Sequence, residues 1–279
     1  MGGMARDSRE LGGAWARFQT ISYGEPSADL APFVARYWSV SWDLRDQPPY
    51  RQLIVPFPTV QLTFRDGDEP LVRGVSRGYA VRTLAGAGGV FGVPFRAGRF
   101  RPFLGRPLST ITDRTLPAAA VFGPDVRSVG GRRPPTPVQV RPDQSAGLDS
   151  GDDLGELVAR IEEFLLPRLP APDPGADDAA TIVDRIAASP SLTRVEAVAA
   201  DAGLSVRRLQ RLFAEHVGVP PKWVIRRYRL REVTDRLDAG EPVDWGPLAA
   251  ELGYADQAHL TRDFAAMFGE PPTRYAERY

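Results

Sequence analysis

The sequence predicts an α+β chain of two domains, a β-rich one followed by an all-helical one, and three observations in its 279 residues carry that prediction. Short β-type runs punctuated by Gly and Pro fill the first part, up to about residue 129. The last hundred or so residues show helical periodicity throughout. Between them lies a Pro-rich stretch with little capacity to bury a core.

The β-type runs are RQLIVPF (51–57), VQLTF (60–64), PLVRGV (70–75), GGVFGVPF (88–95) and RFRPFL (99–104), which place a β-rich domain over 15–129. Within it, ADLAPFVARYWSVSW (28–42) reads as a short helix entering an aromatic strand. STITDRTLPAAAVFG (109–123) adds at least one more helical turn. Residues 130–177 read as a linker that contains one amphipathic helix at 152–166, with Leu154, Leu157, Val158, Ile161, Phe164 and Leu165 on one face. Pro167 ends that helix, and PAPDPGA (170–176) follows as a stiff spacer. From 178 to 279 seven helices are expected, at 178–188, 194–201, 205–216, 221–239, 245–252, 257–268 and from 272, with Gly240 stopping the fourth.

The helical part carries one segment twice. VAADAGLSVRRLQRLFAEHVGVPPKW begins at Val198, and LAAELGYADQAHLTRDFAAMFGEPPTRY begins at Leu248. Leu209, Arg211, Phe213, Gly218 and Pro220-Pro221 recur 51 residues later as Leu260, Arg262, Phe264, Gly269 and Pro271-Pro272. Gly203 pairs with Gly253, so the second turn is one residue longer. Each copy is a short Ala-rich helix, a Gly-bearing turn and a second helix opened by an N-cap candidate, Ser205 or Asp256. That is the layout of a helix-turn-helix, whose second helix enters the major groove of DNA.

Composition bounds what else the chain can do. Basic and acidic residues balance at 35 each, yet eight basic side chains face one acid, Glu215, between Ser205 and Arg231, a local net of +7. Without cysteine the chain has no disulfide framework, thiol nucleophile or Cys-ligated metal. Both histidines, His216 and His259, fall in the helical part, so the β-rich domain lacks imidazole ligands for a catalytic metal. His216 is expected at the surface or in packing. No paired carboxylates suit acid/base work. Neither an enzyme activity nor a cofactor nor a metal is therefore expected. No apolar run approaches the roughly 20 residues of a membrane span, and the N-terminus lacks a signal-peptide stretch, so a cytoplasmic, nucleoid-associated location without membrane contact is expected.

In the first recognition helix, Leu209, Leu212 and Phe213 supply the inward side, leaving Val206, Arg207, Gln210 and Arg211 outward. Arg suits guanine O6/N7 or phosphate, and Gln suits adenine N6/N7. In the second, Leu260, Phe264 and Met267 or Phe268 face in, leaving Gln257, Ala258, His259, Thr261 and Arg262 for DNA. Lys222, at the start of the helix joining the motifs, is a phosphate candidate.

Residues 178–279 resemble the DNA-binding domain of AraC-type (AraC/XylS) transcriptional regulators, most specifically through GYADQAHLTRDFAAMFGEPPTRY (253–275). The resemblance implies two helix-turn-helix motifs held apart by one long helix, reading successive major-groove segments of double-stranded DNA. By motif position Arg207, Gln210 and Arg211 match base-reading positions of the first helix, and Gln257, His259 and Arg262 those of the second. Ala258 departs from the polar residue often found there, which implies fewer base contacts from the second helix. PSADLAPFVARYW (26–38) with GGVFGVPFRAGRFRPFLGRPLSTITDRTLPAAAVFG (88–123) is similar to the N-terminal domain of an AraC-type subgroup, which implies a cupin-like barrel. The family further implies a bacterial activator that meets RNA polymerase, with a small-molecule effector or homodimerisation as the N-terminal role. A barrel mouth lined by aromatics and by Arg51, Arg73, Arg96, Arg99 or Arg101 would suit a small apolar or anionic effector, though the sequence assigns no ligand-binding residue. The alternative is an N-terminal domain that only dimerises or binds a protein, with no effector.

Overall fold

The structure, a computed structural model, describes residues 18–130, 150–238 and 243–276. The expected domain start at 15, most of the 130–149 stretch and the Gly240 helix stop lie outside the described residues.

Eight strands form in the first part: β1 Gln19–Gly24, β2 Tyr37–Leu44, β3 Tyr50–Ile54, β4 Gln61–Arg65, β5 Leu71–Arg73, β6 Ala80–Leu84, β7 Gly86–Pro94 and β8 Thr115–Pro117. Six of them pair antiparallel in the order β1-β2-β7-β4-β5-β8, and β3 with β6 makes a separate two-stranded ribbon. Side chains alternate across this sheet. Tyr37, Phe91, Phe64, Leu62 and Val72 share one face by register, and Trp38, Trp42, Val90 and Arg73 share the other.

The first face is covered by helices. These are α1 Arg101–Leu104, α2 Ala119–Phe122, α3 Val126–Val129 and the longer α4 Ser150–Leu165. Leu154, Leu157, Ile161 and Phe164 of α4 are buried in the same core as Phe64 and Phe91. Glu162 fixes its register, accepting from the Ser27 backbone N–H at 2.7 Å and from the Tyr37 hydroxyl at 3.1 Å.

The α+β arrangement of two parts matches expectation, whereas the cupin-like barrel does not form: β1 and β8 remain the two edges of an open sheet. The physical reason is that α1–α4 already bury the apolar face that closure would have enclosed, and β8 is only three residues long. Residues 28–33 also differ, making turns rather than a helix, since Pro32 has no N–H to continue one.

Seven helices follow: α5 Pro174–Ala188, α6 Val195–Asp201, α7 Val206–His216, α8 Pro221–Asp238, α9 Trp245–Glu251, α10 Gln257–Phe268 and α11 Pro272–Ala276. The expected spacer through 176 is shorter, because Asp173 caps α5 by accepting from the Gly175 and Ala176 N–H groups, and Pro174 takes the first helical position.

The long helix α8 is the axis of this part, with Trp223, Val224, Ile225, Leu230, Val233 and Leu237 all buried. Two of its arginines are buried as well. Arg229 donates to the carbonyls of Ile186 and Ser189, satisfying the end of α5 where the helix dipole is negative. Arg227 donates to the Pro56 carbonyl and lies over the Phe57 ring at 4.0 Å.

The apolar face of α4 generates a paired prediction. Ile161→Ala, at a fully buried position, should lower stability by about 2–5 kcal/mol. Gly155→Ala, on the exposed side of the same helix with open space around it, should raise it by about 0.5–1 kcal/mol. Urea unfolding of the full chain measures both, and equal midpoints for the two variants would contradict this packing of α4.

Candidate nucleic-acid interface

Each motif is built the same way from its residues. After α6 the chain turns through Gly203 at φ +65°, and after α9 through Gly253 at φ +79°, a left-handed backbone that other residues reach only under strain. The second turn is also close-packed, since a Cβ on Gly253 would meet that of Thr193 at 2.7 Å. The Ser205 hydroxyl accepts from the Arg208 N–H, and the Asp256 carboxylate accepts from the His259 N–H at 2.7 Å, so both expected N-caps form.

The duplicated apolar positions then anchor the second helices. Leu209 and Phe213 of α7 are fully buried, as are Leu260 and Phe264 of α10. This leaves Arg207, Gln210 and Arg211 exposed on α7, with Lys222 exposed at the start of α8. On α10, Gln257, Ala258, His259 and Arg262 are exposed, while Thr261 is half-buried. Arg208, not singled out from the sequence, is exposed beside Arg207; its place in the first turn of α7 was the available signal.

His259 is held from two sides. Its ring meets Tyr254 edge-on at 5.1 Å between centroids, and Nε2 lies 3.9 Å from an Asp263 carboxylate oxygen. Asp263 in turn pairs with Arg226 of α8 at 2.5 Å, tying the second recognition helix to the axis helix.

The local +7 charge of the sequence is not a continuous basic surface. Arg227 and Arg229 are buried, Arg226 is engaged by Asp263, and Arg231 pairs with Asp235 at 3.4 Å. The strip reads as basic in one dimension because α8 needs cations inside the protein as well as outside. What remains outward is concentrated on α7 and at Lys222.

The β-rich part touches both motifs. The Arg101 guanidinium bridges Glu215 of α7 at 2.9 Å and Asp173 at 3.3 Å. The Thr112 hydroxyl donates to the Gly218 carbonyl, and the Trp223 indole N–H donates to the Arg77 carbonyl at 3.0 Å. At the end of α10, Gly269 lies against Tyr79 and Leu53. Among the described residues no cluster of His, Cys, Asp and Glu could hold a metal ion, and no helix is long and apolar enough to cross a membrane.

Residues 198–278 match a family described as a helix-turn-helix domain, and residues 24–117 match one described as a domain of unknown function, DUF6597. No curated protein matches the chain. Solved structures that resemble it include ToxT from Vibrio cholerae, at 8% identity over 93% of this chain and 97% of that one with a TM-score of 0.42. Wild-type ToxT bound to an unsaturated fatty acid aligns at 10% identity over 92% and 94% of the two chains, TM-score 0.38. The C-terminal domain of AraT, a response regulator from Geobacillus stearothermophilus, aligns at 18% identity over 38% of this chain and 84% of its own, TM-score 0.32.

His216 closes α7 in the buried space beside Asp173, 3.9 Å away. Burial is the main influence on its ring and lowers its pKa below the ordinary value, with Asp173 and Glu215 opposing and Arg101 reinforcing the shift. The folded chain therefore resists a proton that the unfolded chain accepts. Stability should be fully present above about pH 6.5 and decline as pH falls below it. His216→Gln should flatten that part of the profile. Urea midpoints measured across this range check it, and parallel profiles for the two proteins would contradict it.

Proposed function

We infer that this chain, whose residues 198–278 form an AraC-type helix-turn-helix domain, is a sequence-specific transcriptional regulator that binds double-stranded DNA with both motifs at once. One observation supports this most: two capped recognition helices, each buried through the duplicated Leu and Phe, are mounted at the two ends of a single 18-residue helix. At 1.5 Å per residue that helix is about 27 Å long, against about 34 Å between successive major-groove faces, so one chain spans about one turn of DNA.

On this reading Arg207, Gln210 and Arg211 meet base edges from α7, and Gln257, His259 and Arg262 do so from α10. Thr261, being half-buried, reaches the backbone at most, and Lys222 contacts phosphate. The domain bounds follow the same division, with sensing over 15–129, a linker over 130–177 and DNA binding over 178–279, though α4 of the linker packs on the sheet and α5 already begins at Pro174. The chain acts as an activator in the cytoplasm, on DNA of the nucleoid, in contact with RNA polymerase, and its β-rich part senses a small molecule. A ligand there acts through its differential affinity for two arrangements of the parts. The contacts from Pro56, Phe57, Arg77, Arg101 and Thr112 into α7, α8 and the turn between them supply the route. Homodimerisation as the N-terminal role has one observation in its favour: β1 is an edge strand that exposes Ile21 and Tyr23. Sedimentation of the full chain separates the two, because a monomer across the micromolar range removes the dimer.

Arg211→Ala and Arg262→Ala should each weaken operator binding by about 1–3 kcal/mol and relax discrimination at one base position. Lys222→Ala should weaken all sequences alike and reduce the salt slope by about one ion. Footprinting on a selected site is expected to protect two major-groove segments on one face of the duplex. Protection of a single segment, or an Arg211→Ala loss that is equal on operator and random DNA, would overturn the base-reading assignment.

A further inference from the structure

We propose that the cleft between the six-stranded sheet and the β3–β6 ribbon binds a small organic carboxylate with a flat apolar body, held by Arg73 and Arg82. This deepens the sensing part of the function inferred above and rests on it for its biological meaning, though not for its chemistry.

The cleft is defined by register. On the sheet's second face, Trp38 neighbours Gly92, Trp42 neighbours Gly88, and Gln61 neighbours Arg73. The ribbon turns Tyr50 and Leu84 toward this face, where they pack with Trp42, Leu44 and Val90 and fill one end. Two residues further along the ribbon, Gln52 and Arg82 are cross-strand partners, so they follow the same side toward the other end. Trp38 packs against that cluster and is half-buried, and toward the other end Gln61, Arg73, Gln52 and Arg82 are half-buried as well.

Among the described residues neither arginine side chain has a hydrogen bond or a carboxylate partner, and Nε of Arg73 is fully buried without an acceptor. Burial first, and then the charges of neighbouring arginines, Arg82 and Arg65 for Arg73 and Arg65 for Arg82, lower both pKa values. Arg65, over the Trp42 ring on the same face, is a third cation there and has Asp68 as its own partner at 3.7 Å, whereas no carboxylate pairs with Arg73 or Arg82 among the described residues. Of the other arginines that the sequence offered, Arg96 is spent on the Ala31 carbonyl, Arg99 on Asp177 and Arg101 on Asp173 and Glu215, while Arg51 is exposed on the opposite side of the ribbon from Arg82. Planar guanidinium forks match a carboxylate bidentately.

The body of the ligand is set by the floor. A Cβ on Gly92 would lie 2.1 Å from Trp38 Cε2, and one on Gly88 would lie 2.9 Å from Trp42 Cζ2. The indoles thus rest on bare glycine backbone, and the half-exposed Trp38 offers a flat apolar surface on the same face as Arg73. An aromatic or otherwise planar acid satisfies surface and charge together.

Benzoate, cinnamate and indole-3-acetate are suitable probes for calorimetric titration of the full chain. At least one should bind saturably, and the uncharged counterpart of the same ring should bind about tenfold more weakly or worse. Arg73→Met and Arg82→Met should each lose about tenfold for the acid while keeping the affinity for the uncharged ring. Protection of Arg73 and Arg82 from phenylglyoxal by the same acid, read by mass spectrometry on the wild-type chain, carries the test should either variant fail to fold. Binding by none of the three acids, equal binding of charged and uncharged rings, inorganic phosphate binding as well as the acids, or unprotected arginines would each overturn the proposal. No step uses DNA. A chain that takes the acid but no operator therefore keeps the site and loses the regulator reading, and the reverse result removes the site alone.

Discussion

The position of the helical part depends on a buried charge. Arg227 sits on the axis helix α8, yet its hydrogen-bond acceptor is the carbonyl of Pro56 and its rings are Phe57, at 4.0 Å, and Phe268, at 5.5 Å. No carboxylate pairs with it among the described residues. Burial pushes its pKa down to about 10, which still leaves it charged at neutral pH. A desolvated guanidinium is tolerable where π faces and a carbonyl replace water. The carbonyl and one of the two rings belong to the other part of the chain. Docking of the two parts thus supplies the acceptor for Arg227 Nε and one of its two rings, while its Nη1 stays buried without a partner among the described residues.

The duplicated motif adds a second constraint. Gly218 and Gly269 are equivalent in the two copies, both with positive φ, and both face the β-rich part: Gly218 meets Leu108 and Thr112, and Gly269 meets Tyr79 and Leu53. Either motif is thus gripped just after its recognition helix, where absence of a side chain permits close approach. The surroundings nevertheless differ. The first grip adds the Arg101–Glu215 ion pair, the second relies on an aromatic ring, and a rearrangement of the β-rich part need not shift the two motifs equally.

Much of this was legible in the residues. The helical part follows periodicity, caps and a repeat, all local signals: Ser205 and Asp256 cap as their types demand, and the helix bounds differ from those expected by a residue or two, except at α5. There Asp173-Pro174 carries its own start signal inside a Pro-rich run that composition alone assigns to a spacer. The open sheet was not legible, because alternation in a strand fixes two faces without saying what covers each; helices α1–α4 took the place a closing strand would have had. The fate of the arginines was equally hidden. Arg227, Arg229 and Arg231 are two residues apart in sequence, and only tertiary neighbours decide that the first docks a domain, the second caps α5 and the third stays in solvent. For the candidate interface, the apolar anchors and the outward polar residues followed from spacing, whereas the packing of Val206 against the core, where it was expected outward, the half-burial of Thr261 and the tie from His259 to Asp263 needed the packed helix.

The β3–β6 ribbon pairs with no other strand among the described residues, so its attachment to the protein rests on side chains such as Tyr50 and Leu84. Free energies of local opening scale with such burial, and an element lacking ladder bonds to its neighbours opens well below the global unfolding free energy. Its amides are therefore the ones to exchange with deuterium early and together, ahead of β7 and β4, the central pair of the sheet. Because β3 runs on into Pro56 and Phe57, one such opening uncovers the indole-lined cleft and loosens the seat of Arg227 in the same motion. A two-stranded element outside the main sheet is thus joined, through Pro56 and Phe57, to the axis of the helical part, so a ligand that holds the ribbon closed also holds the seat of Arg227.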